Sequence, residues 1–73
     1  MKITIESTDK ILRINNVPAR LWEGKTDSGV EVICFITRIA VKKEADNSVF
    51  EKELKETKAP SPEAAAFDLR LVL

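Results

Sequence analysis

Histidine and tyrosine are missing from this 73-residue chain altogether. Without an imidazole, no Ser-His-Asp triad, Cys-His pair or histidine metal site can be assembled within one chain. Cysteine is represented by Cys34 alone, so no intrachain disulfide is available. The only glycines are Gly24 and Gly29, and neither opens a helix, which excludes glycine-rich phosphate loops and the common modes of nucleotide binding. Net charge is absent as well: 12 basic residues balance 12 acidic ones, removing the long-range field that nucleic-acid and anionic-membrane binders use. No apolar run approaches the roughly 20 residues that span a bilayer. No signal-like apolar stretch precedes Cys34, so a cytoplasmic location is expected. Aromatic residues are few, and the interleaved aromatic and basic pattern of single-strand nucleic-acid binders is not present.

What remains is an ordinary globular composition, 44% hydrophobic and 33% charged, expected to form a single domain over residues 1–73. A chain this short buries only roughly 60% of the surface its unfolded form exposes, so its core supplies little surplus stability. Residues 1–43 hold eight Lys or Arg against five Asp or Glu, and residues 44–73 hold four against seven. Scattered solvated charge accounts for so small an imbalance.

The strongest organising signal is the stretch from Val32 to Val41, VICFITRIAV, which carries the single charge Arg38 in an apolar, β-branched run. Around it the alternation predicts strands at Met1–Ser7 and Lys10–Asn15, separated by a turn at Thr8 and Asp9. Asn15-Asn16 supplies a second turn, after which Pro18 blocks regular pairing, and a third strand runs from Ala19 to Thr26. Asp27-Ser28-Gly29 closes a hairpin into a long strand, Val30 to Lys43, with Gly29 in the left-handed position. The period then lengthens to that of a helix of about three turns. Asp46 or Asn47 caps it, Ser48 and Glu51 have capping-box spacing, and Phe50 and Leu54 stack at i and i+4. Ala59-Pro60-Ser61-Pro62 ends it, Ser61 and Pro62 start a single turn through Ala66, and Phe67 to Leu73 alternates as a last strand.

These elements predict an α+β fold: a mainly antiparallel five-stranded sheet with one α-helix. Both faces of Val30–Val41 seek burial, with Val32, Cys34, Ile36 and Ala40 on one and Ile33, Phe35, Ile39 and Val41 on the other. One helix covers one face only. Self-association is therefore expected, with closure into a partial barrel as the competing arrangement.

No acidic residue sits in a context that clearly raises its pKa; Asp68, between Phe67 and Leu69, comes nearest, and pairing with Arg70 explains it more simply. Cys34 reads as a small inert hydrophobe. Arginine is the residue type that can carry function. Arg13, Arg20, Arg38 and Arg70 all fall in predicted strands, where a planar guanidinium suits phosphate or carboxylate. Arg38, on an apolar face, needs an anion, a carboxylate such as Asp68, Glu23 or Glu31, or the sheet rim. Trp22 and Phe35 are the candidate interface anchors. Neither a metal nor a cofactor is expected.

Asn16-Val17-Pro18-Ala19-Arg20, Trp22-Glu23-Gly24, Ile36-Thr37-Arg38-Ile39-Ala40-Val41 and Ala59-Pro60-Ser61-Pro62 resemble small uncharacterised proteins encoded by tailed bacteriophages and prophages. The resemblance covers nearly the whole chain and carries no known chemistry. It implies an accessory protein that binds something of the host, or an assembly component of the particle. The expectation is a non-enzymatic binding module, homo-oligomeric, that engages a host protein or sequesters a small anionic ligand such as a nucleotide signal. An enzyme with carboxylates paired across a subunit interface ranks last.

Overall fold

Two asparagines make the first reversal of the chain. Asn15 and Asn16 adopt φ of 51° and 66°, the paired positive values of a type I′ hairpin turn, which asparagine tolerates better than most residues. In the computed structural model, which describes residues 1–66, this turn joins β1 (Ile3–Ile14) to β2 (Val17–Thr26). A second hairpin leads to β3 (Glu31–Ile36). There Gly29 at φ 89° donates its N–H to the Thr26 carbonyl, and Thr26 N–H reaches the Val30 carbonyl, both at 2.9 Å. The result is an antiparallel sheet in the order β1-β2-β3, followed by α1 (Asn47–Leu54) and α2 (Pro62–Ala65).

The expected five-stranded sheet with one helix of about three turns is overturned by this three-stranded sheet with two short helices. Thr8 and Asp9 do not turn the chain, so the first two expected strands are one. Between the pairs Ser7↔Trp22 and Ile11↔Arg20, Thr8, Asp9 and Lys10 lie opposite Leu21 alone. The surplus is absorbed as a bulge that bends β1 without reversing it. β1 and β3 do not pair among the described residues, so the sheet is open and forms no barrel there. The expected strand Phe67–Leu73 lies outside the described residues.

Pro18 explains why the long strand stops early. Ile14↔Val17 closes the hairpin as a hydrogen-bonded pair, so Arg13↔Pro18 is the next, non-bonded one, and the Pro18 nitrogen faces away from β1. Ile36 pairs with Arg20, and continuing that register by two residues would set Arg38 opposite Pro18, which has no N–H to give. The chain leaves the sheet instead, and Thr37 to Ala40 are exposed.

Burial concentrates on one row of one face. Ala19 and Leu21 are fully buried, and Leu12 and Phe35, paired with them across the sheet, are half-buried. Glu23 on the same face accepts the Ser61 N–H at 2.8 Å, and Ser61 caps α2, whose Ala64 is also fully buried. Gly24 is required by close approach: a Cβ there would fall onto the Thr4 carbonyl oxygen and within 2.7 Å of the Ile5 Cα. The Gly24→Ala variant should therefore lose about 1–3 kcal/mol or more of stability, as overpacking against backbone does. Urea unfolding of the two proteins measures the difference.

α1 is eight residues long, a little over two turns at roughly 3.6 residues per turn. Asp46 caps it, taking the Ser48 and Val49 N–H groups and the Ser48 hydroxyl, the last at 2.6 Å. Ser48 thus serves the cap as a donor from inside the helix. The Ser48 hydroxyl bond, then the Val49 and Ser48 N–H bonds, hold the Asp46 carboxyl below its ordinary value of 3.8. The ionised form accepts these bonds, so its support is complete above the unfolded pKa and is lost as pH falls through the lower folded one. Helix content by circular dichroism should decline over that acidic interval, and Asp46→Asn should flatten the decline.

Candidate functional site

The face opposite Leu21 carries Trp22, with Ser7 and Cys34 as its cross-strand partners, and beside that row Arg20 between Ile11 and Ile36. α1 stands over this face without closing on it. None of its residues is buried, although Phe50 is half-covered. Between them lies an open groove of about 800 Å³. Its floor is Trp22, Ile11 and Ile36, its far wall is Phe50, Glu53 and Leu54, and Arg38 and Ile39 stand at its β3 end.

The bulge in β1 positions the opposite end. Thr8 is fully buried and its hydroxyl donates to the Leu21 carbonyl at 2.7 Å while accepting the Lys10 N–H at 3.3 Å. The side chain thereby replaces ladder bonds that the bulge removes. The Thr8 carbonyl accepts from the Arg20 guanidinium at 2.7 Å. The segment after α1 is fastened here too. Ser7 Oγ donates to the Glu56 carbonyl at 3.0 Å, Lys58 N–H reaches the Ser7 carbonyl at 3.2 Å, and Asp9 N–H reaches the Lys58 carbonyl at 3.0 Å. Lys10 Nζ caps α2 by donating to the Ala64 carbonyl at 3.1 Å and to the Ala65 carbonyl.

Of the residues singled out from sequence, the structure brings Arg20, Arg38 and Trp22 together in this groove. Arg20 is half-buried and committed to the Thr8 carbonyl. Arg38 is exposed and has no hydrogen-bond or ion-pair partner among the described residues; Glu23 serves Ser61 instead. Arg13 shares the face but stands exposed beyond the groove, opposite Pro18. Phe35 lies on the other face beside Leu21. Arg70 and Asp68 lie outside the described residues. Trp22 keeps its indole N–H buried without an acceptor among the described residues, a state that costs about 1–3 kcal/mol when a donor is fully desolvated.

Sequence reasoning missed the helical wall. Phe50 and Leu54 were legible as an i, i+4 pair, but their spacing also fits a helix packed onto the sheet, and only the structure shows them bordering open space. No group of three or more carboxylate or Cys side chains among the described residues is placed to hold a metal ion. No helix among them is long and apolar enough to cross a membrane. Comparison with protein-family models, with curated proteins and with solved structures finds no match.

Thr8→Val keeps the shape of the side chain and deletes the hydroxyl. It should cost about 1–3 kcal/mol, the penalty for leaving buried partners unsatisfied, read by chemical denaturation. Amide exchange should quicken at Lys10 and Lys58 together, because both are bonded to this bulge.

Proposed function

We propose that this chain is a non-enzymatic, cytoplasmic binding module, of the accessory kind its resemblance to phage-encoded proteins implies, and that the groove between α1 and the Trp22 face holds an apolar segment of a partner protein. The observation that carries the reading is the groove itself: an apolar floor and wall left open to solvent, with an unpaired arginine at one end. Apolar anchors set in a concave surface with a few charged groups at the edge are the usual means of holding a polypeptide segment.

A protein segment is favoured over a small anion. Glu6, Glu53 and Glu56 line the same groove and would repel a phosphate or nucleotide. Arg20 is spent on the Thr8 carbonyl, which leaves Arg38 and Lys58 as the cations free to meet an incoming charge. One carboxylate beside hydrophobic side chains matches that balance better than a multiply charged ligand.

Selection of random peptides by display against the immobilised protein tests this. Enriched peptides should carry apolar residues next to an acidic one and should shift the emission of Trp22, the lone tryptophan. Arg38→Ala should weaken their binding about fivefold to tenfold, as loss of a rim charge pair does, and Leu54→Asp should abolish it. Peptides that bind without perturbing Trp22, or that ignore Leu54→Asp, would place binding elsewhere and end the proposal.

A further inference from the structure

We infer that the segment filling the groove belongs to a second copy of this chain, docked about a two-fold axis so that Arg38 of each protomer meets Glu53 and Glu56 of the other. The inference rests on the groove being a protein-binding surface and names its occupant.

Three observations converge on a second copy. The first is charge. The groove is lined by Arg20, Arg38 and Lys58 and by Glu6, Glu53 and Glu56, a zero sum. Lys58 lies beside Glu56 at the bulge and Arg20 is bonded to the Thr8 carbonyl there, so Arg38 is the cation that stands apart from the acidic residues. Arg38 follows β3, whereas Glu56 is tied to Ser7 of β1, two strands away, and Glu53 precedes it on α1. A two-fold axis across the groove turns each end onto the opposite end of its copy, which is the self-complementarity an isologous contact demands. A partner of uniform sign would meet repulsion at one end.

The second observation is contiguous apolar exposure. Ile11 is 51% exposed, Ile39 44% and Leu54 45%, all in the groove lining, and Val49 of α1 is 50% exposed. The third is size. Among the described residues only Ala19, Leu21 and Ala64 are fully buried hydrophobics, a small core for that part of the chain, which pairing with a second copy would extend. A transient partner would leave the surface bare for much of the time, while a second copy is present wherever the chain is.

Sedimentation velocity and native mass spectrometry from about 1 to 100 μM, a range that brackets micromolar affinity, should show a species of twice 8.2 kDa. Trp22 emission should shift to the red on dilution as the groove opens. Arg38→Glu should weaken the dimer about tenfold or more through like-charge contact, and the pair Glu53→Arg with Glu56→Arg should do the same. Combining all three should restore it, an outcome that ordinary structural damage would not produce. A species of 8.2 kDa alone at 100 μM overturns the inference, as does a dimer indifferent to both charge reversals. A monomer that still takes display-selected peptides into the groove ends the second-copy inference and leaves the binding module standing; a monomer that takes none ends both.

Discussion

The second half of this chain is fastened to the sheet largely at one irregular place, the bulge of β1 at Ser7–Lys10. β1 is an edge strand, so alternate backbone groups along it face away from β2, and at the bulge the Ser7 carbonyl and the Asp9 N–H are taken by Lys58 in a parallel bridge. A buried Thr8 makes this tolerable, because its hydroxyl meets the Leu21 carbonyl and the Lys10 N–H from a position that an apolar residue would leave unsatisfied. The same residue's carbonyl holds the Arg20 guanidinium. One side chain thus links the fold of the first forty residues to the placement of the helices after them.

A second constraint shapes the functional surface. Pro18 sits in the central strand, where a missing N–H would normally be intolerable. It is accommodated because β3 ends at Ile36, two residues short of it. The consequence reaches beyond the sheet: Arg38, which the apolar run would otherwise carry onto the Val32, Cys34 and Ile36 face, is released to the end of the groove with Ile39 beside it. A backbone restriction in β2 therefore decides where the one uncommitted arginine of the groove stands. Arg20 and Arg38 both fall within strands predicted from sequence, yet Arg20 is bonded to the Thr8 carbonyl and Arg38 has no partner among the described residues.

Local chemistry was readable from sequence where it was self-contained. Asn15-Asn16, the Gly29 turn, the Asp46 cap and the Ser61-Pro62 start each involve residues a few positions apart, and each adopts the geometry its composition favours. Apart from the length of α1, the misreadings required knowledge of a distant partner. Thr8-Asp9 has the composition of a turn, and it takes the Leu21 carbonyl and the Lys58 backbone to make it a bulge instead. Val32–Val41 alternates as one strand, and the register against β2 is what sets Pro18 in its path. Trp22, Arg20 and Arg38 could be nominated singly by residue type, but their meeting in one groove depends on pairing offsets that periodicity does not contain. Phe50 and Leu54 announced an apolar stripe without saying that it would stand off from the sheet.

That stand-off is the feature most in need of a physical account. A two-turn helix is too short to be stable in isolation and gains its stability from packing an apolar face. α1 buries none of its residues, and what holds it is a capped N-terminus and, through Glu56 and Lys58, a tether to the bulge at its C-terminus. A helix secured at its ends, with Phe50 its one half-covered residue, is poorly explained as a lid over a finished core, because little offsets the ordering cost of keeping Leu54 and Val49 in place. It is better explained as one wall of a contact whose other side comes from outside the protomer. On the proposed reading, folding of α1 and occupation of the groove draw on the same apolar surface, and the tether at Ser7 keeps the end of the helix beside the Trp22 face.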